Sequence, residues 1–429
     1  AVRRARQAGQ AVASLGARER ACELYGRALR VADDHLSLTR HDLVRSRPLL
    51  EEKLALHRAL TDELVGLERL PEARSRTLES LALARQLDDG QAEVSALARL
   101  GELNASLKEV EDAKRYFFEA LKTAERIEYG KGIGRGLLGL GDLALEEGRL
   151  EEALEYLDRS LRFEKDLGDG REIGNTLRAL ANAHKQKGAF DQAVATCQRA
   201  LEQERRAERR KGVIATLELL TDIHFLRGDV PAAIDAAEQT IALAEVEDDK
   251  PAVARALLAL ASCHERAGER AEARRRFGDT ASTARRLGLS AELAQAQNGL
   301  GWLHYLAGEH DEALVALNEA TTIWNVGGDR SGYAAGLVNL GLAYGRRGDL
   351  ERSAACYDAA SRVAWEIGAR RPELEASWGR AVVDEERGQS ARSRELLDKT
   401  ALRAREQRQP RIEALALAEL SRLLAGEGE

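Results

Sequence analysis

The chain has 429 residues, and its 65 basic and 72 acidic side chains leave a net charge of −7, which gives polyanions no general attraction. No apolar run approaches the roughly 18 residues a membrane span needs, so neither a nucleic-acid nor a membrane role is expected. Cys22, Cys197, Cys263 and Cys356 have no paired spacing and read as reduced thiols of a cytoplasmic protein.

From the N-terminus, Ala21, Tyr25 and Ala28 begin a pattern that becomes regular only at Ala73, a separation of 52 residues. The surplus lies around residues 32–47 and predicts either lengthened helices or a loop. From there a 40-residue ruler runs to the end, marked by Gly148, Gly188, Gly228, Gly268, Gly308, Gly348, Gly388 and Gly428. Small residues keep the same period, five after each glycine (Ala153, Ala193, Ala233, Ala273, Ala313, Ser353, Ser393) and seven before it (Gly141, Ala181, Thr221, Ala261, Gly301, Gly341, Ala381). A period of that size, with small residues seven apart on one helix face, predicts stacked helical hairpins. In the clearest unit the helices span about 170–187 and 190–206. Each ruler glycine is expected to end a first helix in the left-handed region. Asp229, Glu269, Glu309 and Asp349 follow it, suited to capping the second helix. Pro71 and Pro231 are placed at second-helix starts, and Pro48, Pro251, Pro372 and Pro410 near first-helix starts. Residues 411–425 form a last first helix without its partner. The organisation expected is an irregular repeat over 1–47, nine units over 48–410 and a capping helix over 411–429.

Segments 138–162 (LLGLGDLALEEGRLEEALEYLDRSL) and 180–201 (LANAHKQKGAFDQAVATCQRAL) resemble the tetratricopeptide repeat family. The period of 40 in place of 34 resembles its long-repeat branch, seen in Pins/LGN-type scaffolds and in the C-terminal arms of bacterial STAND-type ATPases and kinases. The resemblance implies an all-α, right-handed superhelical solenoid of about ten hairpins plus the cap. It also implies a concave groove lined by first helices.

Two patterns suggest chemistry and are outweighed. Gly134-Arg135-Gly136-Leu137-Leu138-Gly139 matches a dinucleotide fingerprint, but here it falls inside a helix, with Gly136 at a register that is small in every unit. His184, His224, His264 and His304 form a ladder 40 residues apart. Packed helices lie about 8–10 Å apart, too far for shared ligation by bonds of about 2 Å, so the ladder reads as packing. Neither metal, cofactor nor catalytic activity is expected. The groove residues implied are Arg135, Asp142, Asn175, Arg178, Asn182, Asp222, Phe225, Arg255, Gln295, Asn298, Trp302, Tyr305 and Trp378, polar first and aromatic later. The expected partner is a protein or peptide, with a catalytic domain of the same parent chain as a further one. The role expected is the sensor or regulatory arm of a signalling protein; the alternative is a free-standing adaptor joining two partners.

Overall fold

A computed structural model describes residues 2–38, 43–167 and 170–427, which form 21 helices and no strand. The chain divides into two compact units, residues 1–219 and 220–429. The first contains α1 (Val2–Ser14), α2 (Arg18–Leu38), α3 (Leu43–Gly66), α4 (Leu70–Leu87), α5 (Gly90–Ser106), α6 (Val110–Arg126), α7 (Gly130–Glu146), α8 (Leu150–Leu167), α9 (Gly170–Gln186), α10 (Phe190–Arg206) and the start of α11 (Arg210–Arg227). The second carries on through α12 (Val230–Val246), α13 (Lys250–Ala267), α14 (Arg270–Leu287), α15 (Ser290–Ala307), α16 (His310–Gly327), α17 (Arg330–Arg346), α18 (Leu350–Glu366), α19 (Arg370–Glu386), α20 (Ser390–Glu406) and α21 (Pro410–Glu427). Odd-numbered helices are the first helices of hairpins and even-numbered ones the second. The surplus near 32–47 goes into α2 and α3, which are 21 and 24 residues long; residues 39–42 lie outside the described residues.

The ruler glycines from Gly148 to Gly388 all have φ between +73° and +87°, the left-handed turn that ends each first helix. Gly428 lies outside the described residues. A second left-handed series is offset by 20 residues and closes eight of the second helices among the described residues. It includes Asp88, Glu128, Glu208, Asp248 and Arg408 as well as Gly288, Gly328 and Gly368. Its charged members hid it from a glycine-based reading. Pro71, Pro231, Pro251 and Pro410 lie in the first turns of their helices, whereas Pro48 lies inside α3, further in than its expected place at the start.

Large and small side chains complement one another across successive helices. The Phe117 ring lies where a Cβ on Gly101 or Gly139 would stand; Phe277 does the same for Gly299, and Tyr357 for Gly341 and Gly379. The fingerprint glycines share this role inside α7, where a Cβ would press Gly134 on Glu164, Gly136 on Leu121 and Gly139 on Phe117. They are close-approach positions within a helix and do not open one, as phosphate binding would require. Ala193, Ala233 and Ala313 are fully buried, as the small registers require.

Candidate groove on the first helices

In unit 1 the first helices α3, α5 and α7 line a cavity of about 240 Å³ with Arg58, Asp62, Arg99 and Arg135, backed by Thr61, Thr77, Ser80 and Ser95. Arg135 donates twice to Glu102 Oε1, at 2.9 and 2.6 Å. Arg99 donates to the other Glu102 oxygen at 3.1 Å and to Asp62 at 2.5 Å. Arg135 is therefore tied into a ladder of charges running along successive first helices. Asp142 is open to solvent. The surrounding protein and Glu146 push its carboxyl up, against the pull of Arg178, but water reaching the carboxyl screens much of that push.

Arg178 turns away from a purely groove-facing role. Its guanidinium meets the fully buried carboxylate of Glu204 on α10 and donates to Asn175 Oδ1 at 2.8 Å. Glu204 also accepts from Thr216 Oγ1 at 2.8 Å, beside Gly174 and Gly212. One repeat earlier, Glu164 accepts from Ser160 at 3.0 Å and Thr176 at 2.8 Å next to Gly134. These buried glutamates occupy a register filled by alanine in most units and are missed by pattern reading. The glycines opposite them were the available signal. Asn182 is half-buried.

In unit 2, α11, α13 and α15 line a cavity of about 330 Å³ that collects four of the expected residues, Asp222, Phe225, Arg255 and Gln295. Leu258, Ala259, Ser262, Cys263, Ala291 and Glu292 complete its wall. The Phe225 ring is held by Arg266, whose guanidinium carbon lies 4.7 Å from the ring centroid and whose Nη1 donates to the Phe225 carbonyl at 2.7 Å. Further along, Trp302 and Tyr305 stack with centroids 5.2 Å apart at 19°. Asn339 on α17 donates to Asn298 Oδ1 at 2.9 Å, and Arg346 donates to the Tyr305 hydroxyl at 3.3 Å. Burial pushes the Glu265 carboxyl up, while a hydrogen bond from Trp302 pulls it back. Trp302 thus bridges two first helices while staying half-exposed. Trp378 sits apart from this cluster. It packs on the C-terminal core of Ala381, Leu397, Leu420 and Leu423, with its indole nitrogen buried and unpartnered. Asn339 and Arg99 share a register that is small in most repeats, and their departure from it was the sequence signal that each bonds to the preceding first helix.

Three members of the histidine ladder lie beside a carboxylate five residues on, whereas His184 Nδ1 is buried without a hydrogen-bond partner among the described residues. His224, His264 and His304 Nδ1 lie 3.6, 2.6 and 2.5 Å from Asp229, Glu269 and Glu309. Asp229 and Asp349 cap α12 and α18 as expected, accepting from Ala232 N and Arg352 N. Glu269 and Glu309 do not cap; one methylene longer, they reach the histidine instead. Burial pushes the thiols of Cys197, Cys263 and Cys356 to between about 11 and about 12, so they are poor nucleophiles. No cluster of three or more potential metal ligands occurs among the described residues, and no helix there is long and apolar enough to cross a membrane.

Hairpins stacked so that successive first helices share one wall define an all-helical repeat scaffold of the protein-binding kind. The tetratricopeptide repeat profile matches residues 132–203, 172–246, 212–286, 252–325 and 292–366, together more than half of the 429 residues. The chain belongs to the tetratricopeptide repeat family. No curated relative matches the sequence. Among solved structures it is similar to a Signal Transduction ATPase with Numerous Domains (STAND) protein with a tetratricopeptide repeat sensor from Pyrococcus horikoshii. That match has 13% identity and TM-score 0.62, over 85% of this chain and 55% of that one. This chain therefore spans about half the length of the STAND protein. It is also similar to the apo quorum sensor NprR from B. thuringiensis (15% identity, TM-score 0.58, 82% and 99% covered). A third is a Rap protein complexed with Competence and Sporulation Factor (14%, 0.51, 78% and 98%). At these identities the likeness is one of fold.

Proposed function

We propose that the chain is a regulatory arm that holds a peptide or protein segment along its first helices, most firmly in unit 2. The observation carrying this reading is the aromatic–amide cluster: Trp302 stacked on Tyr305, with Asn298 and Asn339 bonded between the successive first helices α15 and α17. A half-exposed aromatic pair offers apolar area at low entropic cost, and the amides beside it can bond a backbone. The likeness to a STAND protein's sensor-bearing chain, of which this chain matches about half, supports a place beside a catalytic domain of a parent chain. The Rap structure described as complexed with Competence and Sporulation Factor supports occupation of this fold by a ligand. A peptide selected from a random library for binding to the chain provides the test. A photo-crosslinking residue in place of Tyr305 should form a conjugate with it, and one in place of the exposed Val315 should not. Conjugation at 315 alone would move the binding surface off the first helices.

A further inference from the structure

In three repeats an aromatic on a second helix fills the space over a glycine on the next first helix, as Phe117 does over Gly139, Phe277 over Gly299 and Tyr357 over Gly379. At the same registers α12 and α13 have Ala237 and Ala259, and Ala259 lines the cavity on α11, α13 and α15. What remains is a recess with an apolar wall of Phe225, Leu258 and Ala259, open to solvent on the groove side.

Its charge differs from that of the unit 1 cavity, which lies 160 residues earlier in the same registers. Asp222 stands at the register of Asp62. The arginine that pairs with Asp62 at 2.5 Å, Arg99, is replaced by Ala259, and Arg135 by Gln295. Across these shared registers two arginines are lost and one is gained, Arg255 standing where unit 1 has Ser95. Glu292 adds a second carboxylate that enters no ion pair or hydrogen bond among the described residues, and Arg255 is the one cation in the lining.

We propose that this cavity is a side-chain pocket of the groove, receiving a branched apolar residue of the bound segment that has a lysine or arginine beside it to face Glu292. The assignment rests on the groove reading above and specifies the chemistry of its ligand. Burying the apolar side chain against Phe225 and Leu258 supplies affinity; the Glu292 carboxylate selects the neighbouring charge.

Fluorescence anisotropy with three labelled nine-residue peptides of alanine, glycine and serine tests it, their central pairs being Leu-Lys, Leu-Glu and Ser-Lys. The Leu-Lys peptide should bind about tenfold more tightly than Ser-Lys, and several-fold more tightly than Leu-Glu. Ser262→Trp, which places in the recess the side chain that position 302 carries at the same register, should lower Leu-Lys affinity to that of Ser-Lys. Glu292→Lys, on a half-buried position that supports no partner, should turn the preference toward Leu-Glu. Equal binding of all three peptides overturns the pocket, as does absence of binding by Leu-Lys at millimolar concentration. Wild-type affinity in Ser262→Trp with loss in Trp302→Ala overturns the pocket and leaves the groove standing. Loss in Ser262→Trp and charge reversal in Glu292→Lys, with wild-type binding by Trp302→Ala, supports the pocket and removes the aromatic cluster from the ligand site.

Discussion

Replacing Arg178 separates a binding role from a structural one. Its guanidinium is about three-quarters buried and is the cation paired with Glu204, whose side chain is fully buried. Arg178→Ala leaves that carboxylate with the Thr216 hydroxyl at 2.8 Å as its remaining bonded donor. Stranding a buried charge costs about 3–5 kcal/mol, and the surviving hydroxyl bond puts the expected loss near the lower bound, about 3 kcal/mol. Because repeat arrays unfold in segments, one global midpoint would blur the effect. Amide hydrogen exchange of α9 and α10 should report it locally. Glu204→Gln in the Arg178→Ala background should restore roughly 2 kcal/mol, since a neutral amide no longer needs a cation. Arg275→Ala removes an exposed ion pair with Glu272, which water and salt screen, and should leave exchange in α9 and α10 as it is in wild type. If Arg178→Ala exchanges within about 0.5 kcal/mol of wild type at α9 and α10, the internal pairing is wrong, and Arg178 is available to the groove.

Gly139→Ala should destabilise although alanine favours helix by about 1 kcal/mol, because its Cβ would overlap the Phe117 ring and overpacking costs about 1–3 kcal/mol; faster exchange in α7 is the readout, and slower exchange would contradict it. Gly228→Ala has open space around it, so its cost is the left-handed backbone alone at φ +87°, about 1 kcal/mol read from amide exchange at the α11–α12 turn, and unchanged exchange there would contradict it. His57 is almost wholly buried, and desolvation lowers it from 6.5 to about 4 despite Glu79 at 3.2 Å. Its neutral form is the one the fold holds, so stability is full above pH 6.5 and falls by up to about 3 kcal/mol as pH drops to 4. His57→Leu should flatten that pH dependence in the exchange of α3 and α4, and an unchanged slope would place the titration elsewhere.

The repeat and its hairpins were legible because the constraint is local. A left-handed turn favours glycine, and close helix packing favours small residues, so both write a period into the sequence. The second left-handed series was harder to read, since Asp88, Glu128, Glu208, Asp248 and Arg408 accept the conformation without glycine. Within the candidate surface, spacing placed Trp302 and Tyr305 on one face, and they stack. Spacing alone could not show that Arg178 swings to a buried glutamate, or that Trp378 packs into the terminal core. A long side chain's direction depends on partners from other helices, and the pairing of Arg178 with Glu204 spans 26 residues. The 330 Å³ recess was equally hidden, because its wall is assembled from residues of three helices, α11, α13 and α15.

The central claim is that ligands occupy the first-helix surface around Trp302. Its most direct test is the affinity of a library-selected peptide for wild type, Trp302→Ala and Trp365→Ala, each checked for native helix content. Trp365 is 72% exposed at the end of a second helix and serves as the apolar control. Truncating a central aromatic anchor commonly costs 2 kcal/mol or more. Trp302→Ala should therefore weaken binding by about thirtyfold while Trp365→Ala binds as wild type does. Undiminished binding by folded Trp302→Ala, or a larger loss in Trp365→Ala, would contradict the account.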